Sequence, residues 1–156
     1  MPRIERDIVV PLNLLDTWDL MSNVELRPIW DATIIQVIKS TDVSNSAVVK
    51  LEYHAPLIFG LRWKWEGAYV SYQPPERTAV RMMWGSIFRP FKSLVGTWAL
   101  DDMGGSTQFR IIVNFEARWP IPLLDIFMTL RMNRLLRRSL HALRQLTLDN
   151  CKVDRL

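Results

Sequence analysis

The sequence has one cysteine, two histidines and no long uncharged apolar run, and each shortage excludes a class of protein. Cys151 alone cannot form an intramolecular disulfide, and its polar surroundings near the C-terminus argue against a nucleophilic role. His54 and His141 have no cysteine or acidic residue beside them at the spacing of a zinc site, so we expect surface positions for both and no metal site. Because no apolar run approaches ~20 residues, no membrane-spanning helix is predicted.

Motifs that bind common cofactors are also missing. The sequence contains no phosphate-binding loop, no dinucleotide fingerprint and no nucleophile elbow, so we predict no cofactor and assign no catalytic residue. Gly104 and Gly105 follow Asp101 and Asp102 in a pattern typical of a hairpin turn, where solvated carboxylates would not act as a catalytic pair. The first residues lack the apolar segment of a secretory signal, and together with the single cysteine this predicts a cytoplasmic protein.

Composition predicts one folded domain. Of the 156 residues, 49% are hydrophobic and 23% are charged, which is typical of a globular chain that is long enough to bury a core. No repeat, linker or low-complexity tract divides the chain. We therefore expect a single domain over residues 1–150 and a short tail over residues 151–156. The unusual feature of the composition is tryptophan, with seven residues.

Positive charge is concentrated near the C-terminus. The net charge is +4, and one segment contains Arg131, Arg134, Arg137, Arg138 and Arg144. On a helix, such a face usually meets solvent, but it can also meet acidic lipid headgroups or a partner. Peripheral membrane contact through this helix therefore stays open, whereas no motif supports nucleic-acid binding. These features leave the oligomeric state undetermined.

The segment over residues 61–72 is the centre of the predicted fold. Its residues alternate with a period of two, which is typical of a strand with unlike faces. Trp63, Trp65 and Tyr69 share one face with Gly67, whereas charged side chains begin the other. A strand that only fills a core usually carries Val, Ile or Leu. Flat rings beside a bare glycine instead favour a ligand-binding wall with a gap, and a purely structural aromatic core is the alternative.

Alternating and helical patterns predict the order of the other elements. A first strand over residues 4–10 precedes two short helices, the first capped by Asn13 and the second ended by Pro28. Further strands are expected over residues 32–39, 47–55, 78–84, 91–100 and 108–117, with a turn over residues 40–46 and a connection over residues 56–60. Apolar residues at three- and four-residue steps then predict one long helix over residues 122–148.

An antiparallel sheet that bends around this long helix would bring the aromatic strand face and the helix together. Because large rings and methionines keep the two apart, we expect an internal apolar pocket between them. Trp30, which follows the short helices, is expected to close one end of the pocket. The candidate ligand-binding residues are Trp30, Tyr53, Trp63, Trp65, Tyr69, Trp84, Trp98, Met128, Met132 and Asn133.

These residues resemble those of a known family. The matching features are Trp63-x-Trp65, Trp30 after the short helices, and Gly104-Gly105-Ser106-Thr107 after Trp98. They are similar to the tetracenomycin-type aromatase/cyclases of the polyketide cyclase/dehydrase and lipid-transport (SRPBCC) superfamily. Over essentially the whole chain, the resemblance implies an α+β helix-grip (START/Bet v 1-like) fold, in which a curved antiparallel sheet wraps around a long C-terminal helix. It also implies a cavity for an aromatic or polyketide-like ligand.

One departure from this family concerns charge. The resembling aromatase/cyclases carry a cavity arginine and a preceding hydroxyl residue at the positions that correspond here to Tyr69 and Gly67. The electrostatic anchor for an enolate or carboxylate is therefore missing from this strand. Tyr69 could serve as a weak acid or hydrogen-bond donor in its place. Arg81 on the next strand could do so only if its side chain turned inward, and we expect it to point outward.

Three functions remain consistent with the sequence. The first is binding of a hydrophobic, aromatic or polyketide-like small molecule, with aromatase or cyclase activity that works by folding the substrate in a shaped pocket. The second is a non-catalytic carrier or chaperone for a lipid or quinone, which loads through the apolar start of the last helix. The third is a protein-interaction domain with a filled pocket. Ionisable groups that converge in the pocket would favour an enzyme, and a dry cavity with a basic rim would favour a carrier.

Overall fold

The computed structural model of the protein describes residues 2–39, 50–56, 60–87, 89–119 and 121–153. The helices in these ranges are α1 (Leu14–Ser22), α2 (Arg27–Trp30) and α3 (Pro122–Val153). The strands are β1 (Arg3–Val10), β2 (Gln36–Lys39), β3 (Lys50–Pro56), β4 (Arg62–Gln73), β5 (Arg77–Gly85), β6 (Phe91–Asp102) and β7 (Thr107–Ala117). α1 and α2 lie between β1 and β2 in the chain, and α3 follows the last strand.

These strands form one antiparallel sheet of seven. Its order is β1-β7-β6-β5-β4-β3-β2, so strands β2 to β6 each pair with the next strand in sequence. β1 closes the sheet at the far edge, where it pairs with β7 from Arg3 opposite Asn114 to Val10 opposite Thr107. A curved sheet of this topology with a long C-terminal helix confirms the predicted α+β helix-grip fold.

The long helix α3 packs mainly against β1, with lesser contacts to α2 and β7. Its buried face consists of Met128, Met132, Leu136, Ser139, Leu140, Leu143 and Thr147. These residues recur at three- and four-residue steps or lie beside one another, which places them on one side of a helix. Because α3 approaches the sheet at its β1–β7 edge, more space remains between the helix and the middle strands.

The two short helices show one confirmed and one wrong prediction. Asn13 caps α1 as expected, since its Oδ1 accepts a hydrogen bond from the Asp16 amide at 2.9 Å. The second helix does not end at Pro28. α2 begins at Arg27 and has Pro28 in its first turn. Proline has a φ suited to a helix, and its missing N–H is not needed in the first turn, so it can begin a helix as well as end one.

Several element bounds differ from those expected. β2 begins only at Gln36, because Asp31 and Thr33 form a hydrogen-bonded turn before it, with the Thr33 amide 3.1 Å from Asp31 Oδ1. α3 continues to Val153, past the expected end at residue 148. The turn over residues 40–46, the start of the strand over residues 47–55, and residues 57–59 of the following connection lie outside the described residues. So do residues 154–156, and the division into a domain and a tail stays a prediction.

A buried polar cluster joins α2 to α3. Ser139 of α3 is fully buried, and its Oγ accepts a hydrogen bond from the Ala32 amide at 2.9 Å. The same Oγ lies 3.4 Å from Asp31 Oδ1, which also accepts hydrogen bonds from the amide and hydroxyl of Thr33. The other carboxylate oxygen of Asp31 pairs with Arg27 Nε at 2.9 Å. A buried carboxylate needs such partners, and these hold α2 against the long helix.

Replacing Ser139 with alanine is expected to lower the free energy of unfolding by about 1–3 kcal/mol, because the Ala32 amide would lose its acceptor. Urea denaturation followed by circular dichroism measures this change. Thr129→Ala is the matched control. The Thr129 hydroxyl donates an exposed hydrogen bond to the Asp125 carbonyl one turn earlier in the same helix, and it does not link two elements. We expect the control to change stability by less than about 0.5 kcal/mol. Equal losses of stability in the two variants would contradict the conclusion that Ser139 links α2 to α3.

Candidate functional site

A cavity of about 340 Å³ lies between α3 and the inner face of the sheet. We call it the first cavity. Strands β3, β4, β6 and β7 border it on one side and α3 on the other. Its apolar border includes Trp63, Trp65, Phe91, Leu94, Met128, Met132 and Leu135. Its volume falls within the range of small-molecule sites, about 300–1,000 Å³.

The wall formed by β3 and β4 is a series of flat rings. The register pairs Tyr53 with Trp65, and their rings stack with centroids 4.2 Å apart and planes at 17°. Trp63 and Trp65 are nearly parallel, with ring centroids 6.1 Å apart, and Phe91 packs against Trp63 at 5.7 Å. The rings therefore pack on one another and also border the cavity. The aromatic strand is both part of the core and a cavity wall.

The gap expected at Gly67 is filled by neighbouring side chains. A Cβ at this position would lie 2.8 Å from the Tyr53 ring, 2.9 Å from the Trp65 ring and 2.6 Å from Val80 Cγ1. The absent side chain lets the stacked rings lie close to the backbone of β4. The prediction that Gly67 leaves room for a ligand was therefore wrong, because Tyr53 of β3, Val80 of β5 and Trp65 of β4 itself occupy this space.

A second cavity of about 450 Å³ is bordered by α1, the α1–α2 turn, Arg27 and strands β2 to β6. Tyr53 and Trp98 border both cavities, so these two side chains stand between them. The border of the second cavity is more polar. It includes the hydroxyl-bearing residues Tyr69, Tyr72 and Thr78 together with the guanidinium of Arg27.

Burial raises the pKa of the Tyr53 and Tyr69 hydroxyls, and the positive charge of Arg27 opposes that rise without cancelling it. Both hydroxyls therefore stay protonated at neutral pH. They can donate hydrogen bonds to an acceptor in the cavities, but neither is arranged to accept a proton as a general base.

The structure brings most of the predicted site residues to these two cavities. Trp63, Trp65, Met128 and Met132 border the first, Tyr69 borders the second, and Tyr53 and Trp98 border both. Direct contact of these residues with a ligand stays a prediction.

Trp84 lies on the opposite side of the sheet from the position expected, with 55% of its surface exposed. It borders neither cavity. Simple alternation placed it on the same face as Met82. However, Met82 pairs with Gly67 and Trp84 pairs with Glu66, so Met83 is an extra residue in β5. This β-bulge shifts the alternation by one residue, and the predicted inward position of Trp84 was wrong for that reason.

Trp30 and Asn133 also lie away from the two cavities. Trp30 is buried and packs edge-on against Phe109, with ring centroids 5.8 Å apart, so it does not close an end of the pocket. The Asn133 amide oxygen accepts a hydrogen bond from Arg6 Nε at 2.8 Å, which links α3 to β1. Trp30 packs against β7, and Asn133 accepts a hydrogen bond from β1. Sequence periodicity did not predict that these strands would lie beside the two residues.

Sequence reasoning missed the ion pair between Arg27 and Asp31. Its one signal was the four-residue spacing of opposite charges, which brings them together on a helix. Arg81, which was considered as a substitute for the missing cavity arginine, is exposed as expected. In the part of the chain that the structure describes, no group of three or more His, Cys, Asp or Glu residues is placed to hold a metal ion.

The fold and its cavities can be compared with known families. Residues 1–147 match the family model described as polyketide cyclase / dehydrase and lipid transport. The chain belongs to this family. Membership confirms the resemblance carried by the tryptophan strand and the hairpin glycines. Comparison with curated proteins gives no match.

Solved structures of similar fold include several bacterial proteins. A protein from Thermus thermophilus is 18% identical, over 96% of this chain and 99% of that one, with a TM-score of 0.76. The Zhui aromatase/cyclase from Streptomyces sp. R1128 is 12% identical, over 94% of this chain and 93% of that one, with a TM-score of 0.77. A START superfamily protein from Mycobacterium smegmatis is 15% identical, over 94% and 97%, with a TM-score of 0.74. At these identities, the likeness shows a shared fold.

Gly67→Ala is expected to lower the free energy of unfolding by about 1–3 kcal/mol, because the added methyl would overlap the stacked rings of Tyr53 and Trp65. Thermal unfolding measures the loss, and near-ultraviolet circular dichroism reports on the ring stack. Ser71→Ala, at a half-buried position of the same strand, is the control and should change stability by less than about 0.5 kcal/mol. Wild-type stability in Gly67→Ala would mean that the rings leave room at this position.

Proposed function

We propose that the protein binds a planar hydrophobic small molecule, aromatic or polyketide-like, in the first cavity. The observation that supports this most strongly is the cavity of about 340 Å³ whose wall of stacked rings faces methionines on α3. A flat apolar ligand gains both burial and stacking against such a wall. Methionine side chains such as Met128 and Met132 are flexible and polarisable, so they can adapt to the ligand's outline.

An aromatase/cyclase reaction is the activity that family membership suggests for this site. The Zhui protein is described as an aromatase/cyclase, and this chain shares its fold. In the first cavity, such a reaction would depend on the shape of the cavity. A flexible polyketide-like substrate confined there would have its reacting carbons held close together. The protonated Tyr53 hydroxyl could stabilise a developing negative charge on a carbonyl oxygen by donating a hydrogen bond.

Met132→Trp is expected to weaken binding of 2-naphthol about tenfold or more, because the larger side chain would occupy part of the first cavity. Isothermal titration calorimetry measures the affinity. Leu130→Trp is the matched control: the same substitution on the same helix, at a residue that is 64% exposed, should leave binding unchanged. Equal affinities in the two variants would contradict ligand binding in the first cavity. Native mass spectrometry of the freshly purified protein would identify a natural ligand.

A second candidate function is a carrier that takes up a lipid or quinone at a membrane surface. The observation that favours it is an exposed apolar rim beside the first cavity. Leu61 and Trp119 border the cavity and are 61% and 45% exposed. The rim continues along the start of α3 with the exposed residues Ile121, Leu123, Ile126, Phe127 and Leu130. Isolated exposed apolar residues are common on protein surfaces, but a group of this kind marks an interaction site.

Positive charge accompanies the apolar rim. The Arg118 guanidinium lies over the Trp119 ring at 5.8 Å from its centroid and donates a hydrogen bond to the Ile87 carbonyl. Ile87 itself is 80% exposed, and Arg131 borders the first cavity. Apolar side chains beside arginines suit a surface that contains anionic lipid headgroups. None of the described helices has the length and hydropathy to cross a membrane.

Leu123→Asp is expected to reduce sedimentation with phosphatidylcholine/phosphatidylglycerol vesicles about tenfold, because a charge would replace a 77% exposed apolar residue of the rim. Raising the salt concentration should also weaken the association of the wild-type protein. Leu15→Asp, at a 64% exposed residue of α1 outside the rim, is the control and should sediment like the wild type. Failure of the wild-type protein to associate with these vesicles would remove the carrier hypothesis.

A further inference from the structure

Arg27 brings a buried positive charge to the border of the second cavity. Only 11% of its side chain is exposed. The guanidinium lies over the rings of Trp98 and Trp30, at 4.2 Å and 5.1 Å from their centroids. Contact with two aromatic faces holds this planar group in one orientation and compensates part of its lost hydration.

The hydrogen-bonding capacity of the Arg27 guanidinium is only partly used. Its Nε donates to Asp31 Oδ2 at 2.9 Å, whereas its Nη2 is buried without a hydrogen-bond partner in the described ranges. The indole Nε1 of Trp98, whose ring contacts the same guanidinium, is likewise buried and unpartnered there. Buried donors are normally satisfied by protein, water or a ligand, because an unmet charged donor is costly.

The remainder of the second cavity suits an oxygen-bearing ring compound. Among the described residues that border it, none is Asp or Glu; the Asp31 carboxylate, which pairs with Arg27, borders the first cavity instead. The Tyr53 and Tyr69 hydroxyls are protonated and can donate hydrogen bonds. Trp18, Leu51 and Val80 supply apolar surface for the part of the ligand that carries the acidic group. Charge-assisted bonds from arginine to an anionic oxygen are stronger than bonds between neutral groups.

We propose that Arg27 makes the second cavity a binding site for a carboxylate or ionised hydroxyl group attached to a planar apolar ring. Asp31 holds the guanidinium through Nε and accepts no hydrogen bond from Nη2, the nitrogen that the described residues leave without a partner. This inference deepens the proposed function and rests on it for the position of the ring. Tyr53 and Trp98 border both cavities, so the two cavities adjoin, and the proposal places the ring beside these side chains with its acidic group toward Arg27.

Titration calorimetry with 2-naphthoate and methyl 2-naphthoate tests this proposal, since the two probes share a ring and only one carries a charge. The wild-type protein should bind the carboxylate about 10- to 100-fold more tightly than the ester. The double variant Arg27→Gln/Asp31→Asn removes both charges of the pair, so no unpaired charge is left buried. It should lose this preference while its ester affinity stays within about threefold of the wild type.

Two further variants keep every outcome interpretable. Arg27→Lys retains the charge but loses the forked donor geometry, so a reduced preference supports the proposal if the double variant fails to fold. No preference in the wild-type protein, or a full preference in a folded double variant or in Arg27→Lys, would overturn it. Met132→Trp reports on the first cavity. If Met132→Trp leaves ester binding unchanged, the proposed function fails. The role of Arg27 is then still decided by whether the wild-type protein prefers the carboxylate to the ester.

Discussion

The offset position of α3 is the constraint on which the first cavity depends. The helix packs mainly against β1 at one edge of the sheet, and hydrogen bonds from Arg6 to Asn133 and from Ala32 to Ser139 hold it there. Over the middle strands, the interior is filled by indole and phenol rings. Protein interiors usually reach crystal-like packing density, but here the stacked rings and α3 leave about 340 Å³ between them. The space left over forms the first cavity, whereas the second lies between α1 and the sheet.

One network of polar groups fixes the position of α2 against α3 and also stabilises the buried positive charge of Arg27. A buried guanidinium is costly without a partner, and Asp31 supplies the partner for Arg27. Asp31 is buried as well and depends on hydrogen bonds from Thr33 and a close approach of Ser139. The contacts that dock α2 onto α3 are therefore the same contacts that allow a cation to stand beside the second cavity.

The borders of the two cavities differ in their chemistry. The first cavity is bordered mainly by apolar side chains and lies beside the exposed rim at Leu61 and Trp119, whereas the second presents Arg27 and tyrosine hydroxyls. The fold itself is shared by proteins described as aromatase/cyclases and START superfamily members. Because one fold can carry many activities, the residues that border the cavities, rather than the fold, are the basis for the function proposed for this family member.

Local sequence patterns alone determined the order of elements, the inward face of β4 with Trp63 and Trp65, and the family, because periodicity and neighbouring residues are properties of short segments. Tertiary structure decided the rest of the candidate site. A one-residue bulge turned Trp84 outward, Tyr53 and Val80 from the two adjacent strands filled space at Gly67, and α2 placed Arg27 over a tryptophan of β6. Each outcome depends on contacts between residues far apart in the chain, which no local period records.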